Sequence, residues 1–188
     1  LILCNLREAG LNVICLDPEM EYEDLTNNLG GCFIDLMGGR FLINPLEPKV
    51  WDEGEVLEDP DAPETFRIRS RLSQHISFLK DFFRSYKDFT DREIDVIEIM
   101  VQRLYARCGL TDETDFQMLG SKDYPTLSEL YGLIEAEYKG FDSGERQLYT
   151  AELLQNILLG LHSMCRGPEA KFFNGHTNIT DSSFVTFG

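Results

Sequence analysis

Residues 12–16 read Asn-Val-Ile-Cys-Leu, an apolar, β-branched run that stops at Asp17-Pro18 and passes into Glu19, Glu21, Tyr22, Glu23 and Asp24. Five residues are too few for a buried helix. The lack of apolar/polar alternation predicts a strand covered on both faces, the habit of a parallel sheet flanked by helices. Pro18 cannot donate to a ladder, so the chain has to turn there. This one segment therefore points to an α/β fold, in which loops at the carboxyl ends of the strands are where ligands sit.

The neighbouring sequence fits that class. Leu1, Ile2, Leu3 and Leu6 fall at helical spacing and are stopped by Gly10, a left-handed cap. Residues 22–29 have room for a short helix closed by Gly30-Gly31. Residues 32–36 (CFIDL) and 40–44 (RFLIN) predict two brief strands joined by a hairpin-like turn at Met37-Gly38-Gly39-Arg40.

From Asn44 the pattern changes. Pro45, Pro48, Pro60 and Pro63 punctuate an acidic run with Glu47, Asp52, Glu53, Glu55, Glu58, Asp59, Asp61 and Glu64, which reads as a solvated loop or as a docking surface for a basic partner. Trp51 within it either anchors a partner or folds back on the helices that follow. Residues 66–86 then place Ile68, Leu72, Ile76, Leu79 and Phe83 at helical spacing. Thr90-Asp91-Arg92-Glu93 and Thr126-Leu127-Ser128-Glu129 have the spacing of capping boxes and predict two helix starts. The first opens a stripe of Ile94, Ile97, Val101 and Leu104 closed by Gly109, the second a stripe of Leu130, Leu133 and Ile134. Residues 143–164 predict a further helix with Leu148, Leu153, Leu154, Ile157, Leu158 and Leu161 on its stripe. A turn at Asn174-Gly175 precedes SSFVTFG (182–188), which returns to strand chemistry. The order is α/β, then helices alone, then α/β again, as expected of an all-helical insertion in an α/β domain.

Charge narrows the function. A formal net charge of −16 argues against a dominant nucleic-acid-binding face, which needs clustered Lys and Arg. Arg67, Arg69 and Arg71 could touch DNA or form a solvated helix face balancing the acidic run. Cys4, Cys15, Cys32, Cys108 and Cys165 are odd in number and have no metal or disulfide spacing, so they read as small buried hydrophobes in a reducing compartment. His75 sits between apolar positions as a packing residue, and His162 and His176 lack partners at metal spacing. No apolar stretch approaches the roughly 20 residues of a membrane span. Both termini fall inside patterned segments, and the expectation is that each is a cut from a longer chain.

The candidate chemistry lies at the end of the first strand. Asp17 occupies the carboxyl edge, with Glu19, Glu21 and Tyr22 on the emerging loop. Carboxylates there could orient a metal-bound water or a nucleophile. Alternatively, Glu21, Glu23 and Asp24 simply favour a helix N-terminus.

Residues 14–48 resemble the segment following the Walker A helix in conjugation ATPases of type IV secretion systems, the VirB-four and TraC-like group related to HerA/FtsK P-loop NTPases. The matching residues, in order, are Asp17-Pro18-Glu19, Glu21-Tyr22, Gly30-Gly31 and Ile43-Asn44-Pro45-Leu46. Phe173, Gly175 and Thr177 match a later F-x-G-x-T segment of that family, with Asn174 where an acidic residue is common. The resemblance implies a RecA-like P-loop NTPase core interrupted by an all-helical subdomain. Residues 1–47 and 167–188 would be parts of that core, 48–65 the acidic loop and 66–166 the inserted helices. It implies an ATP hydrolase with Mg2+ as parent protein, powering conjugative transfer as a hexamer or dimer with secretion components, in the cytoplasm or at the inner face of the cell membrane. Asp17, Glu19, Glu21 and Tyr22 would be its nucleotide-proximal residues here. No GxxxxGK[ST] occurs in the chain, so a complete ATP site and tightly bound nucleotide are not expected of it, and the net charge speaks against direct nucleic-acid binding. The alternatives are a helical protein-interaction module and a HerA/FtsK-like DNA translocase.

Overall fold

The computed structural model describes residues 2–35, 38–48, 71–142, 148–179 and 184–188. It opens with helix α1 (Ile2–Glu8), strand β1 (Val13–Leu16), helix α2 (Glu23–Asn28) and strand β2 (Cys32–Ile34). Four longer helices follow: α3 (Arg71–Tyr86), α4 (Asp91–Arg107), α5 (Leu127–Lys139) and α6 (Ala151–Arg166). The short helix α7 (Ala170–Phe173) then leads toward strand β3 (Phe184–Phe187). The fold is mixed α/β, with helix predominant.

The first two helices end for the same local reason. Past α1, Gly10 N–H donates to Arg7 O at 3.0 Å and Leu11 N–H to Leu6 O at 3.1 Å, with Gly10 at φ +75°. Past α2, Gly30 at φ +70° and Gly31 repeat the pattern onto Asn27 and Thr26. Both are Schellman closures, which need a left-handed residue that glycine supplies without steric cost.

All three strands are parallel, in the order β1-β3-β2. β3 lies in the middle, pairing Val13 with Phe184 through Leu16 with Phe187 on one side, and Cys32 with Val185 through Ile34 with Phe187 on the other. α2 packs against the sheet, and a buried Thr26–Thr186 hydroxyl contact of 2.7 Å ties helix to central strand.

Two expectations about the strands are corrected. β1 is not covered on both faces: Val13 is 7% exposed but Ile14 73% and Leu16 77%. Alternation puts Ile14 and Leu16 on the face opposite Val13, and β1 is an edge that pairs only with β3. The expected hairpin is not formed either. β2 stops at Ile34 and pairs with β3, while residues 40–44 form no strand and direct their backbone bonds to residues 172–178. Asp35 closes a local turn, accepting the Gly38 N–H at 2.8 Å on its carboxylate.

The helical block holds the main core. Ile94, Ile97, Val101 and Leu104 of α4 are all buried, as are Leu130 and Ile134 of α5 and Leu154, Ile157 and Leu161 of α6. From α3, Leu72, Ile76, Leu79 and Phe83 join them. Both predicted capping boxes are present: Glu93 accepts the Thr90 N–H and Glu129 the Thr126 N–H, each at 2.7 Å. The last long helix starts later than its apolar pattern suggests. Thr150 caps it by accepting the Leu153 N–H, so Leu148 lies ahead of the helix and is 91% exposed instead of on the stripe. His75 is buried against Phe78 and Tyr105, the packing role expected of it. Among the cysteines only Cys165 is fully buried; Cys4, Cys15 and Cys32, on short elements of the α/β part, are half-buried, and Cys108, just past the end of α4, is exposed. Trp51, Arg67, Ile68, Arg69 and the acidic run from Asp52 to Glu64 lie outside the described residues, as does the Arg71 side chain.

Candidate functional site

Three strands of one direction bring three carboxyl ends to one rim. Leu16, Phe187 and Ile34 lie abreast, and the ladder runs one rung further: Asp17 N–H donates to Phe187 O at 2.7 Å and Gly188 N–H to Ile34 O at 3.0 Å. Asp17, Gly188 and Asp35 therefore line the rim where open parallel sheets bind ligands.

Asp17 is 4% exposed and its Oδ2 accepts the Tyr22 N–H at 2.8 Å. Its own carbonyl accepts the Met20 N–H at 3.1 Å. Met20 takes φ +57°, a left-handed conformation uncommon for a residue with a Cβ, and this lets the chain double back after Pro18. Asp17 thus holds the loop 17–22 closed and presents α2. Glu19 and Glu21 point into solvent, Tyr22 is 38% exposed, and Glu23 and Asp24 occupy the first turn of α2. The four candidate residues share one loop, but their side chains do not converge.

The segment that forms this rim is acidic: residues 8–39 contain no Lys, Arg or His. Asp17, Glu19, Glu21 and Asp35 lie at or just past the strand ends, and the Lys171 side chain of α7 reaches Gly39 from outside the segment. Such a surface suits ordered water or a cation; it repels a phosphate unless another segment supplies positive charge. Among the described residues no group of three or more His, Cys, Asp or Glu is placed to hold a metal ion. The side chains present do not by themselves fit a magnesium nucleotide.

A second constellation sits where the chain crosses between sheet and helices. Residues 40–44 run beside 172–178: Leu42 N–H donates to Asn178 Oδ1 at 2.8 Å, Ile43 N–H to Phe172 O at 2.9 Å and Asn44 N–H to Thr177 Oγ1 at 3.0 Å. At Gly175 they pass so closely that an added Cβ would come within 2.9 Å of Leu42 Cδ1. Leu46 is fully buried in the helical core, and its carbonyl accepts the buried Tyr105 hydroxyl at 2.8 Å. Asn174 bridges two helix ends, accepting the Ser128 N–H of α5 at 2.9 Å and donating to Cys165 O of α6 at 2.7 Å. Sequence reasoning picked out Ile43-Asn44-Pro45-Leu46 and Phe173, Gly175 and Thr177 as motifs without seeing that the two motifs meet. Asn44 in the first motif and Asn174, Gly175 and Thr177 in the second, residues of close approach and side-chain-to-backbone bonding, were the available signal.

The chain superposes on the structure of VirB4 of Thermoanaerobacter pseudethanolicus with a TM-score of 0.78 over 99% of its own length, at 27% sequence identity. This chain is VirB4-like. The likeness carried by the two motifs thus extends through the helical block between them. The VirB4-like chain spans 44% of that longer protein. No protein-family model and no curated protein sequence matches it. Among the described residues no helix is long and apolar enough to cross a membrane.

Proposed function

We propose that this chain is part of a type IV secretion ATPase, contributing one rim of a RecA-like P-loop NTPase core and the helical block inserted in it. The observation that carries the reading is the VirB4 likeness over 99% of the chain, joined to a parallel sheet whose carboxyl rim bears Asp17. In this reading the phosphate-binding loop comes from sequence outside these residues, since no GxxxxGK[ST] occurs among them. Asp17 holds the loop that carries Glu19 and Glu21 at the nucleotide's edge, and with Mg2+ bound there its carboxylate would help order the metal's water. The parent protein hydrolyses ATP, assembles as a hexamer or dimer with secretion components, and works in the cytoplasm or at the inner face of the cell membrane.

The test compares ATP binding and hydrolysis by this chain with those of a version extended at both ends to include a Walker A and a Walker B segment. The extended protein is expected to bind ATP with Mg2+ and this chain alone is not. Micromolar binding by this chain would overturn the reading. In the extended protein, Asp17→Asn keeps an oxygen for the Tyr22 N–H but removes the charge. A loss of hydrolysis of about 10- to 100-fold is expected if the charge acts on the metal's water, and no loss if Asp17 only holds the loop.

A second reading makes the helical block a docking module for neighbouring subunits or channel components. Exposed Leu159 on α6, and exposed Leu148 at the rim of a cleft with Arg92, Val96, Ile99 and Leu153, favour it. Leu148→Asp with Leu159→Asp would then abolish assembly, read by light scattering, and leave nucleotide binding intact. A HerA/FtsK-like duplex translocase is disfavoured by the −16 net charge; salt-sensitive DNA binding by the extended protein would revive it.

A further inference from the structure

Three asparagine side chains concentrate at the crossing between sheet and helices, and each uses both ends of its amide. Asn44 is 3% exposed; its Nδ2 donates to Pro125 O at 2.9 Å and its Oδ1 accepts the Leu46 N–H at 3.1 Å. Asn174 accepts the Ser128 N–H and donates to both Ser128 Oγ and Cys165 O. Asn178 accepts the Leu42 N–H and donates to Arg40 O at 2.9 Å, while its own N–H reaches Leu42 O at 3.3 Å. An ionised carboxylate has no donor, so aspartate at any of these positions would face a carbonyl oxygen that it cannot satisfy. Phe173 adds an apolar tie, packing edge-on against Phe82 of α3 with centroids 6.0 Å apart.

We infer that residues 40–48 and 172–179 are clamped to the helical block and move with it as one body. The body that holds the helices therefore takes in residues 40–48 and 172–179, and among the described residues its edge toward the sheet is at Arg40 and Asn178. Leu46 seated in the helical core and Asn44 bonded ahead of α5 fix the outgoing crossing. Asn174 fixes the returning one by meeting an unpaired amide of α5 and an end carbonyl of α6. Asn178 and Thr177 then lock the two crossings to each other. Gly38 and Gly39, the latter at φ +68°, are the nearest described residues on the sheet side of the clamp. In a secretion ATPase this arrangement would turn any movement of the rim into rotation of the whole block. That use rests on the proposed function; the clamp itself does not, and it stands or falls without nucleotide.

Hydrogen exchange of this chain, resolved to single amides, tests it. The amides of Leu42, Ile43, Asn44 and Asn178 are expected to exchange as slowly as those in the middle of α4, as members of one cooperative unit do. Asn178→Asp should speed the Leu42 and Ile43 amides roughly tenfold while α4 stays protected. Asn44→Asp should do the same for Leu46. Should Asn44→Asp fail to fold, Thr177→Val removes the acceptor of the Asn44 N–H and should speed the Asn44 amide, which reads the tie between the two crossings. Fast exchange of these amides in the unaltered chain would overturn the inference, as would unchanged exchange in the variants.

Discussion

The helical block and the three-stranded sheet are held together by different means. Among the described residues, the buried apolar side chains outside the cluster centred on the helices are Val13, Ile34 and Val185. The block has a continuous interior in which α4 touches α3, α5 and α6. The sheet has short ladders, α2 packed against it, α1 touching β1, and a face from which Ile14 and Leu16 project into solvent. A region with its own interior can be read from its own periodicity. A region that shares its interior with other segments looks apolar in sequence whether or not those segments are present.

The sharpest way to break this contrast is to remove volume from the block. Leu154 is fully buried, and Leu154→Ala should cost about 2–5 kcal/mol in chemical denaturation. A cost below about 1 kcal/mol would mean that the helices do not carry the stability.

Raising the pH should act next, and also on the block. Burial, then the bond to Glu169, pushes the Tyr86 hydroxyl up to about 12. Burial also raises Tyr105, Tyr124 and Tyr149 above the ordinary tyrosine range. All four lie among the helices and none in the sheet. A group that holds its proton more tightly when folded stabilises the fold fully below its unfolded pKa, and that contribution drains away as pH rises through the folded value. Thermal stability should therefore fall between roughly pH 10 and 12, with loss of helical signal, and Tyr86→Phe should flatten part of that fall. A pH-independent melting temperature across this window would contradict the burial of these hydroxyls.

The smallest effect is expected in the sheet. Ile14→Ser on the exposed face should change stability by no more than about 0.5 kcal/mol and should improve solubility. A large loss would show that the face is covered after all.

How much was legible follows the same division. The block was readable because Thr90 and Thr126 announce helix starts through short-range bonds to Glu93 and Glu129, and four-residue spacing survives whatever packs outside. Leu148 misled because the apolar pattern runs on past Thr150, and nothing in periodicity says where a cap will interrupt it. In the sheet, Val13–Leu16 was legible as a strand from its β-branched run, but its burial was not, since covering is a property of partners. The hairpin expected at Gly38-Gly39 failed because Arg40 to Asn44 found partners more than 130 residues away, and local turn chemistry carries no trace of such a competitor. Asp17 was legible as a rim residue through Pro18. Its grip on the Tyr22 amide was not, because which acceptor captures an amide five residues on depends on the left-handed Met20 between them.

The placement of β3 has a consequence for how the molecule is made. β1 and β2 are never neighbours; the strand that joins them belongs to residues 184–187, and the hydroxyl pair sealing it to α2 spans 160 residues. During synthesis the first two strands must wait, a strand's width apart, until residues 184–187 have emerged. Closing so long a loop is entropically slow. Prior folding of the helices would shorten the search by drawing the two crossings together, so that β3 arrives already aimed at the gap.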